Sequence, residues 1–333
     1  DGKPFFAYLA FQAPHDPFQL PDDWRDRYKG RYNQGYEATR AQRIARMKAL
    51  GLLGADATVF PRLPNVPAWA ELTPEEQRKS ARRMELFAAM MENMDDNIGK
   101  LIGYLKTSGL YDNTLIIFLS DNGPEGNIMN LGPPWDSSNF DDWGRKGTFI
   151  QYGPAWAQVS AGPLRMFKGF MSEGGIRTPL IVAGKGVAGG GRISDAMTHV
   201  TDIPATILAA AGVPSPVTFE GKAVIPVQGK SLAPILAGER GAVRGPEDWL
   251  GWELFGNRAI KQGDWKLLWL CKPAGSGSWQ LYNVKADPGE TKDLAAAHPD
   301  VVKTLEARWT DYAKANNVII PDNSPVCGEA DLE

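Results

Sequence analysis

Continuous apolar runs predict three buried strands in the first part of the chain. They cover residues 5–11, 114–119 and 178–183, and almost every position in them is apolar. Strands buried on both faces of a sheet have such runs rather than strict alternation. A long helical pattern separates the first two runs, and a strand–helix–strand unit implies that its strands are parallel. We therefore expect an α/β fold with a central, largely parallel sheet.

Apolar positions spaced by three and four residues predict four helices. The clearest covers residues 74–108, because Thr73 and Glu76 have the spacing of a capping box, Pro74 stands at the first helical position and Gly109 ends the pattern. Its Met-rich apolar stripe is typical of core packing. The other predicted helices cover residues 37–50, 201–212 and 299–316.

The pattern changes after a segment rich in proline and glycine at residues 213–248. Two short apolar stretches, 257–260 and 265–270, flank Gly263-Asp264, which is a hairpin signal, and a third strand is predicted at 279–284. The last helix would cover this small antiparallel sheet. We therefore divide the chain into an α/β domain at 1–245 and a small α+β subdomain at 246–333.

The composition of the chain indicates which binding partners and which class of protein to expect. The chain has 333 residues, 43% of them hydrophobic and 23% charged, with a net charge of −3. This balance is ordinary for a globular protein and predicts neither nucleic acid nor an anionic membrane as a partner. The sequence contains no run of about 18 apolar residues, so we expect no membrane-spanning helix. The chain opens on an apolar run with no initiator Met or signal peptide, so we expect a fragment of a longer protein.

Polar residues follow the first two predicted strands. Asp121, Asn122 and Gly123 come directly after the second strand, and His15 follows the first. The carboxyl ends of parallel strands meet at one sheet edge, where ligands bind. Asp121 and Asn122 offer the hard oxygens that calcium or magnesium prefers. A plain turn is the alternative for Asp121–Gly123, and a structural role is the alternative for His15.

A lysine between aromatic residues is the third candidate. Lys168 stands between Phe167 and Gly169-Phe170, before Arg177 and the third predicted strand. Its ammonium group could hold an oxyanion as a point charge, and an ordinary surface lysine is the alternative. For Arg177 we favour a structural ion pair over an anion contact.

The long loop at residues 123–165 has no periodicity, and a loop of this length is usually functional. Its aromatic residues are candidates for a leaving-group pocket: Trp135, Trp143, Tyr152 and Trp156.

The remaining polar candidates are expected to be structural. Asp202 is predicted to cap the helix at 201–212. His199 and His298 are predicted to be structural or solvated. Cys271 and Cys327 have neither a metal nor a redox spacing, so two free thiols are expected.

Taken together, these motifs resemble the sulfatase family of the alkaline-phosphatase superfamily, in particular bacterial arylsulfatases. The resemblance implies an alkaline-phosphatase-like sheet with flanking helices, followed by a small antiparallel-sheet-and-helix subdomain. Its ordered set of motifs covers nearly the whole chain. The matching segments are the family's helix at 88–99, its metal-ligand strand at 112–123, its lysine segment at 167–170 with 173–179, and its C-terminal subdomain at 251–290.

The resemblance also implies roles for the candidate residues. The family hydrolyses sulfate esters with a formylglycine made from Cys or Ser. By position, Asp121 and Asn122 would be two calcium ligands, with magnesium as the alternative metal. Lys168 would contact the sulfate group, and His15 would contact the sulfate and assist departure of the alcohol. The implied substrate is a small sulfate ester.

One part of the family pattern is absent from the sequence. The nucleophile motif, Cys/Ser-x-Pro-x-Arg, does not occur, and neither Cys271 nor Cys327 fits it. The nucleophile and the remaining metal ligands are therefore expected upstream of residue 1, on the N-terminal part of the same chain. Without that part, weak metal binding and no turnover are expected.

Two other functions remain open from the sequence. One is a phosphodiesterase or phosphonate-ester hydrolase of the same superfamily, and the other is a catalytically inactive binding relative. Because the sequence has no Asn-x-Ser/Thr sequon and no visible leader, we favour a bacterial protein of the cytoplasm or periplasm.

Overall fold

The computed structural model describes residues 3–128, 139–239 and 241–320. The chain divides into two units, and each is described by itself. The first comprises Asp1–Arg46, Pro61–Ser108 and Glu125–Ser160, and the second comprises Met47–Phe60, Gly109–Pro124 and Ala161–Glu333. The predicted domain boundary at residue 245 stays a prediction.

The described residues form seven α-helices and eight β-strands. The helices are α1 (Gly35–Ala49), α2 (Pro74–Thr107), α3 (Gly153–Ala161), α4 (Glu173–Ile176), α5 (Asp202–Ala211), α6 (Ala233–Leu236) and α7 (Pro299–Ala315). The strands are β1 (Leu115–Leu119), β2 (Leu180–Gly184), β3 (Thr218–Phe219), β4 (Lys222–Ala223), β5 (Trp249–Leu254), β6 (Asn257–Gln262), β7 (Trp265–Trp269) and β8 (Trp279–Asn283).

Local end signals explain why α2 forms where the sequence predicts it. The Thr73 hydroxyl accepts a hydrogen bond from the Glu76 backbone N–H at 3.3 Å, and the Glu76 carboxylate accepts one from the Thr73 N–H at 2.8 Å. This capping box satisfies two N–H groups that a helix start otherwise leaves unpaired. Met84, Met94 and Leu105 of the predicted apolar stripe are buried, whereas Met91 and Leu101 of the same stripe are exposed. The prediction of α2 is confirmed, as are the helices near α1, α5 and α7.

An aromatic core holds the first unit together. Trp156 on α3 is fully buried, and its indole N–H donates to the Ser80 carbonyl at 2.9 Å. The Tyr36 ring meets the Trp156 ring edge-on at 5.8 Å, and the Phe87 and Tyr152 rings meet edge-on at 4.7 Å. Edge-on packing of this kind is favoured by the ring quadrupoles.

The predicted strand at residues 5–11 does not form. This segment is irregular and exposed, with Phe6 at 72% and Tyr8 at 83% exposure. A strand buried on both faces requires hydrogen-bonding neighbours, and no strand among the described residues pairs with this run.

The parallel pairing predicted for the central sheet is also wrong. Within the described ranges, β1 pairs with β2 alone, and the pair is antiparallel with Leu115 opposite Gly184. The two strands are half-buried at most positions rather than buried, and Ile181 is 61% exposed. The prediction of parallel strands assumed that residues 5–11 form the first strand of a strand–helix–strand unit, and these residues do not form a strand.

The second unit contains an antiparallel sheet in the order β5-β6-β7-β8, covered by α7. The hairpin at Gly263-Asp264 and the strand β8 are confirmed. Ile260, Leu267, Leu281 and Leu305 form the buried core between sheet and helix. The sequence pattern missed β5, which is an edge strand.

The glycine in β5 explains how α7 approaches this edge. A Cβ at Gly251 would lie 2.5 Å from the Tyr312 ring of α7, so only glycine allows the observed contact. A glycine within a strand often marks such a close approach.

Cys271 differs from the expectation of a free thiol. It is buried and disulfide-bonded, and Cys327 lies outside the described residues. Among the helices of the described residues, none is both long enough and apolar enough to span a membrane.

Candidate functional site

Two oxygen-bearing side chains follow β1 directly. Asp121 is exposed and Asn122 is half-buried. The Asn122 Nδ2 donates to the Gly123 carbonyl at 2.8 Å, which leaves the amide oxygen Oδ1 as an acceptor. The Ser120 hydroxyl donates to the Asn122 carbonyl at 2.9 Å and tightens the turn. The turn therefore presents one charged and one neutral hard oxygen side by side.

The structure brings the Lys168 loop to this turn. The Lys168 backbone N–H donates to the Pro124 carbonyl at 3.0 Å, and the Gly123 N–H donates to the Gly175 carbonyl at 2.9 Å. The Asp121–Gly123 turn and the Lys168 segment are thus hydrogen-bonded neighbours within the second unit. This contact joins residues about 45 positions apart, and the sequence alone did not predict it.

Three glycines make this close approach possible. A Cβ at Gly123 would lie 1.9 Å from the Gly174 carbonyl oxygen. A Cβ at Gly174 would lie 2.3 Å from the Arg165 oxygen, and one at Gly175 would lie 2.0 Å from the Phe170 oxygen. All three obstacles are backbone atoms, which cannot rotate away. Glycine at these positions follows from the packing of backbone on backbone.

The substitution Gly123→Ala is expected to separate the turn from the Lys168 loop and destabilise the second unit by about 3 kcal/mol or more, as severe overpacking does. Chemical denaturation would measure the loss. Gly190→Ala is the matched control, because a Cβ there meets nothing within 4 Å. Equal stability of the two variants would contradict the proposed backbone contact.

A buried ion cluster fixes the segment that follows Lys168. The Lys266 ammonium on β7 lies 2.9 Å from Glu173 and 2.9 Å from Glu290, and all three side chains are essentially unexposed. The Glu290 carboxylate also accepts the Glu173 backbone N–H at 2.9 Å. Burial opposes ionisation of Glu173, but Lys266 and Lys261 outweigh it and hold the pKa of that carboxyl at about 2.

The sequence analysis missed this cluster. Its only signal was a lysine inside the otherwise apolar strand β7, since a charged group in such a run must find partners when it is buried. Burial, followed by the charge of Glu173, raises the pKa of Glu290, because two carboxylates share one ammonium group.

Arg177 and Asp202 both have structural partners. Arg177 lies 3.9 Å from the Glu173 carboxylate, which agrees with the structural role favoured from the sequence. Asp202 is fully buried, and its two oxygens accept from Arg244 at 2.6 and 2.7 Å. Thr201, not Asp202, is the helix cap, so that prediction was wrong in detail. The Asp202 carboxylate instead connects α5 to Arg244 and to the Lys230 backbone N–H.

His15 belongs to the first unit and is described with it. Residues 13–17 form turns, and no strand in the described part of the chain precedes them, so the argument from a shared sheet edge fails for His15. Its Nδ1 lies 2.7 Å from the Asp16 carboxylate and 2.8 Å from the Asp16 carbonyl. The side chain of His15 is 46% exposed, and that of Asp16 is 2% exposed.

Comparison with protein families decides what the chain is. A model described as Sulfatase matches residues 1–213, more than half of the chain. The chain belongs to the sulfatase family. A second model, described as N-sulphoglucosamine sulphohydrolase, C-terminal, matches residues 163–315 of the chain. The resemblance stated from the sequence motifs is confirmed.

Curated relatives support the same family. The chain is 40% identical over 330 residues to an uncharacterised sulfatase of Schizosaccharomyces pombe, and the match covers 96% of this chain and 59% of that protein. It is 42% identical over 240 residues to an arylsulfatase of Klebsiella aerogenes, covering 70% of this chain and 52% of that protein. The chain therefore spans little more than half the length of these relatives.

Solved structures support the fold. One, from work on glycosaminoglycan metabolism by Bacteroides thetaiotaomicron, has a TM-score of 0.51 at 23% identity and covers 76% of this chain and 48% of its own. Another, a complex with a neocarrahexaose, has a TM-score of 0.51 at 20% identity, and the match covers 84% of this chain and 54% of that chain. The predicted alkaline-phosphatase-like fold with a small C-terminal sheet and helix is confirmed.

The oxygen donors of the turn after β1 fit part of a calcium site. Calcium takes six to eight oxygen ligands, and the exposed turn after β1 offers the Asp121 carboxylate and the Asn122 amide oxygen. In the ranges that the structure describes, no group of three or more His, Cys, Asp or Glu residues is placed to hold a metal. These residues therefore supply two ligands of the right chemistry, and a complete site needs more.

The aromatic residues predicted to line a leaving-group pocket lie in the core of the first unit. Trp143, Tyr152 and Trp156 are exposed by 5%, 6% and 0%. They pack against other side chains and do not line an open pocket, so the prediction was wrong for these three. Trp135 lies outside the described residues.

Proposed function

We propose that the natural polypeptide containing this chain is an arylsulfatase-type hydrolase of aryl or other small sulfate esters. The observation that carries the proposal is the hydrogen-bonded contact between the Asp121–Gly123 turn and the Lys168 loop. In this proposal, Asp121 and Asn122 are metal ligands, and the backbone contact supports the proposal because it joins their turn to the loop that carries Lys168. The 42% identity to the Klebsiella aerogenes arylsulfatase supports an aryl substrate.

In this proposal, Asp121 and Asn122 hold a calcium ion, with magnesium as the alternative. When bound, the cation offsets negative charge on the sulfuryl oxygens. Lys168 donates hydrogen bonds from its ammonium group to a sulfate oxygen and binds the substrate as a point charge. His15 donates a proton to the oxygen of the departing alcohol, a role suited to imidazole near neutral pH.

The nucleophile of this proposal is a formylglycine on a part of the natural polypeptide outside residues 1–333. Cys271 is followed by Lys272 and Pro273, but Gly275 stands where the family motif has arginine. Because Cys271 is also buried and disulfide-bonded, it offers no thiol for conversion. The matched segments cover 59% and 52% of the two relatives, so a polypeptide of their length has further residues for the nucleophile and the remaining metal ligands.

The natural polypeptide, assayed with 4-nitrophenyl sulfate, 4-nitrophenyl phosphate and a 4-nitrophenyl phosphodiester, tests this function. We expect hydrolysis of the sulfate ester that is lost on chelation and restored by calcium. Preference for a phosphoester would move the function to the phosphodiesterase or phosphonate-ester branch. No turnover by folded, metal-loaded protein would favour an inactive binding relative.

A further inference from the structure

The loop that carries Lys168, residues 165–174, has an unusual backbone conformation on both sides of the lysine. Met166 is a buried non-glycine residue with a φ of 59°, and Gly169 has a φ of 94°. A positive φ is unfavourable for a residue with a side chain, and it persists only where surrounding contacts hold it. The direction of the Lys168 side chain therefore depends on the groups that hold this loop.

One face of the C-terminal sheet supplies such groups. Successive side chains of a strand point to opposite faces of a sheet. The apolar side chains of one face form the core with α7. The other face carries three buried polar residues, one on each of β6, β7 and β8. They are Asn257, Lys266 and Tyr282, and the last two are directly opposite each other across the strands.

Two of these three side chains hold the ends of the loop. The Arg165 guanidinium donates to the Tyr282 hydroxyl at 3.0 Å, and the Lys266 ammonium lies 2.9 Å from the Glu173 carboxylate. The Arg165 carbonyl also accepts from the Gly174 N–H at 2.9 Å, so the two ends meet. The loop is thus closed at its base, and its base is attached to the sheet.

Asn257 contacts the loop next to the lysine. The side chain is fully buried, and its Nδ2 donates to the Gly169 carbonyl at 3.3 Å. Its Oδ1 accepts from the Cys271 N–H at 3.0 Å. This second bond fixes the orientation of the amide, because the oxygen is the acceptor and the nitrogen is the donor. Asn257 therefore holds the backbone one residue after Lys168.

We infer that the C-terminal sheet positions Lys168, with Asn257 and Tyr282 as the positioning residues. Both act through the backbone of the loop and keep the ammonium group directed at a sulfate oxygen. The inference rests on the proposed function, in which Lys168 binds the sulfate group. It extends that function by giving the C-terminal sheet a part in sulfate binding.

The substitution Asn257→Ala in the natural polypeptide tests this role. It removes the bond to the Gly169 carbonyl and leaves the Lys168 side chain intact. With 4-nitrophenyl sulfate we expect kcat/KM to fall by about 10-fold, mainly through a higher KM, because a displaced ammonium group binds the sulfate group less well. Inhibition by inorganic sulfate should weaken by a similar factor, and this measurement reports binding without the chemical step.

Asn283→Ala is the matched control on the same sheet. Asn283 ends β8, and its side chain accepts from the Ala286 N–H at 3.1 Å within a turn. We expect this variant to keep the wild-type KM and the wild-type inhibition by sulfate.

Tyr282→Phe is a second variant that preserves the packing of the ring. It removes only the hydroxyl that accepts from Arg165. Loss of one hydrogen bond at the base of the loop should raise KM by about threefold. This variant keeps the role open to test if Asn257→Ala does not fold.

A double-variant cycle separates positioning from general support of the fold. In a Lys168→Ala background there is no ammonium group to direct. Adding Asn257→Ala or Tyr282→Phe to that background should therefore change kcat/KM by less than about twofold. Residues that only stabilise the fold would cause the same loss with and without Lys168.

Three results would overturn the role. Equal losses in both backgrounds would mean that Asn257 and Tyr282 only support the fold. Wild-type KM and wild-type sulfate inhibition in the folded single variants would remove both residues from substrate binding and leave the proposed function standing. Absence of wild-type turnover on any sulfate ester would instead remove the proposed function, and the positioning role with it.

Discussion

Replacing Lys266 with methionine is expected to lower the free energy of unfolding of the second unit by about 3–5 kcal/mol. Methionine has a similar volume but no charge. The substitution leaves Glu173 and Glu290 buried, close together and without the ammonium group that lies 2.9 Å from each. Breaking a buried ion pair by removing one partner costs more than the pair contributes, because the remaining charge is uncompensated. Urea denaturation at neutral pH would measure the loss.

The same variant should reverse the pH dependence of stability. In the wild type the pKa of Glu173 is about 2, below its unfolded value, so its contribution to stability is present above about pH 4.5 and is lost as the pH falls toward 2. Without Lys266, burial and mutual repulsion place both carboxyl pKa values above their unfolded values. Their contribution is then present below about pH 4.5 and is lost as the pH rises.

Denaturation curves between pH 4 and pH 8 would therefore show the Lys266→Met variant losing stability relative to the wild type as the pH rises. Lys303→Met is the control, because Lys303 is an exposed lysine on α7. A uniform offset from the wild type across this range would show that the variant loses packing and not charge compensation.

The substitution Asp121→Asn is expected to lower kcat for a sulfate ester by about 10²–10³-fold in the natural polypeptide and to weaken calcium binding. Asn keeps the shape of the side chain and one oxygen but removes the negative charge that a hard cation prefers. The Asp121 side chain is exposed in the turn after β1, so its loss should leave the fold intact. Calorimetric titration with calcium, together with turnover of 4-nitrophenyl sulfate, would measure both effects.

Asp112→Asn serves as the control for this prediction. Asp112 is an exposed aspartate just before β1 and lies in the same unit. We expect it to retain both calcium binding and turnover. If Asp121→Asn bound calcium as tightly as Asp112→Asn did, the assignment of Asp121 as a metal ligand would be wrong.

Four of the described helices, α1, α2, α5 and α7, and the C-terminal hairpin were predictable because their signals are local. A capping box at Thr73 and Glu76 and a turn at Gly263-Asp264 act through hydrogen bonds and backbone conformations a few residues long. The order of the motifs was enough to indicate the family, and the family models match the same regions. The residue types at 121 and 122 similarly limited the ligand chemistry to hard oxygens.

The strand predictions failed where they depended on which strands are hydrogen-bonded to each other. An apolar run does not say which strand lies beside it, and residues 5–11 have no strand partner among the described residues. The pairing of β1 with β2 joins segments about 65 residues apart in antiparallel register, whereas the crossover argument considered only neighbours along the chain. The aromatic residues of the long loop were misassigned for a related reason, because Trp156 is buried by Tyr36 and Trp69 from distant parts of the sequence.

The sequence by itself determined the positions of α1, α2, α5 and α7, the hairpin, the family and the residue types of the site. The tertiary structure alone decided that the Asp121 turn meets the Lys168 loop, and that Lys266 lies between two glutamates, one of them 93 residues away. It also decided that Asp16 is buried against Nδ1 of His15. The physical reason is the separation of the interacting groups along the sequence. Caps and turns depend on backbone groups a few residues away, whereas the burial of a charge depends on which distant groups the folded chain brings to it.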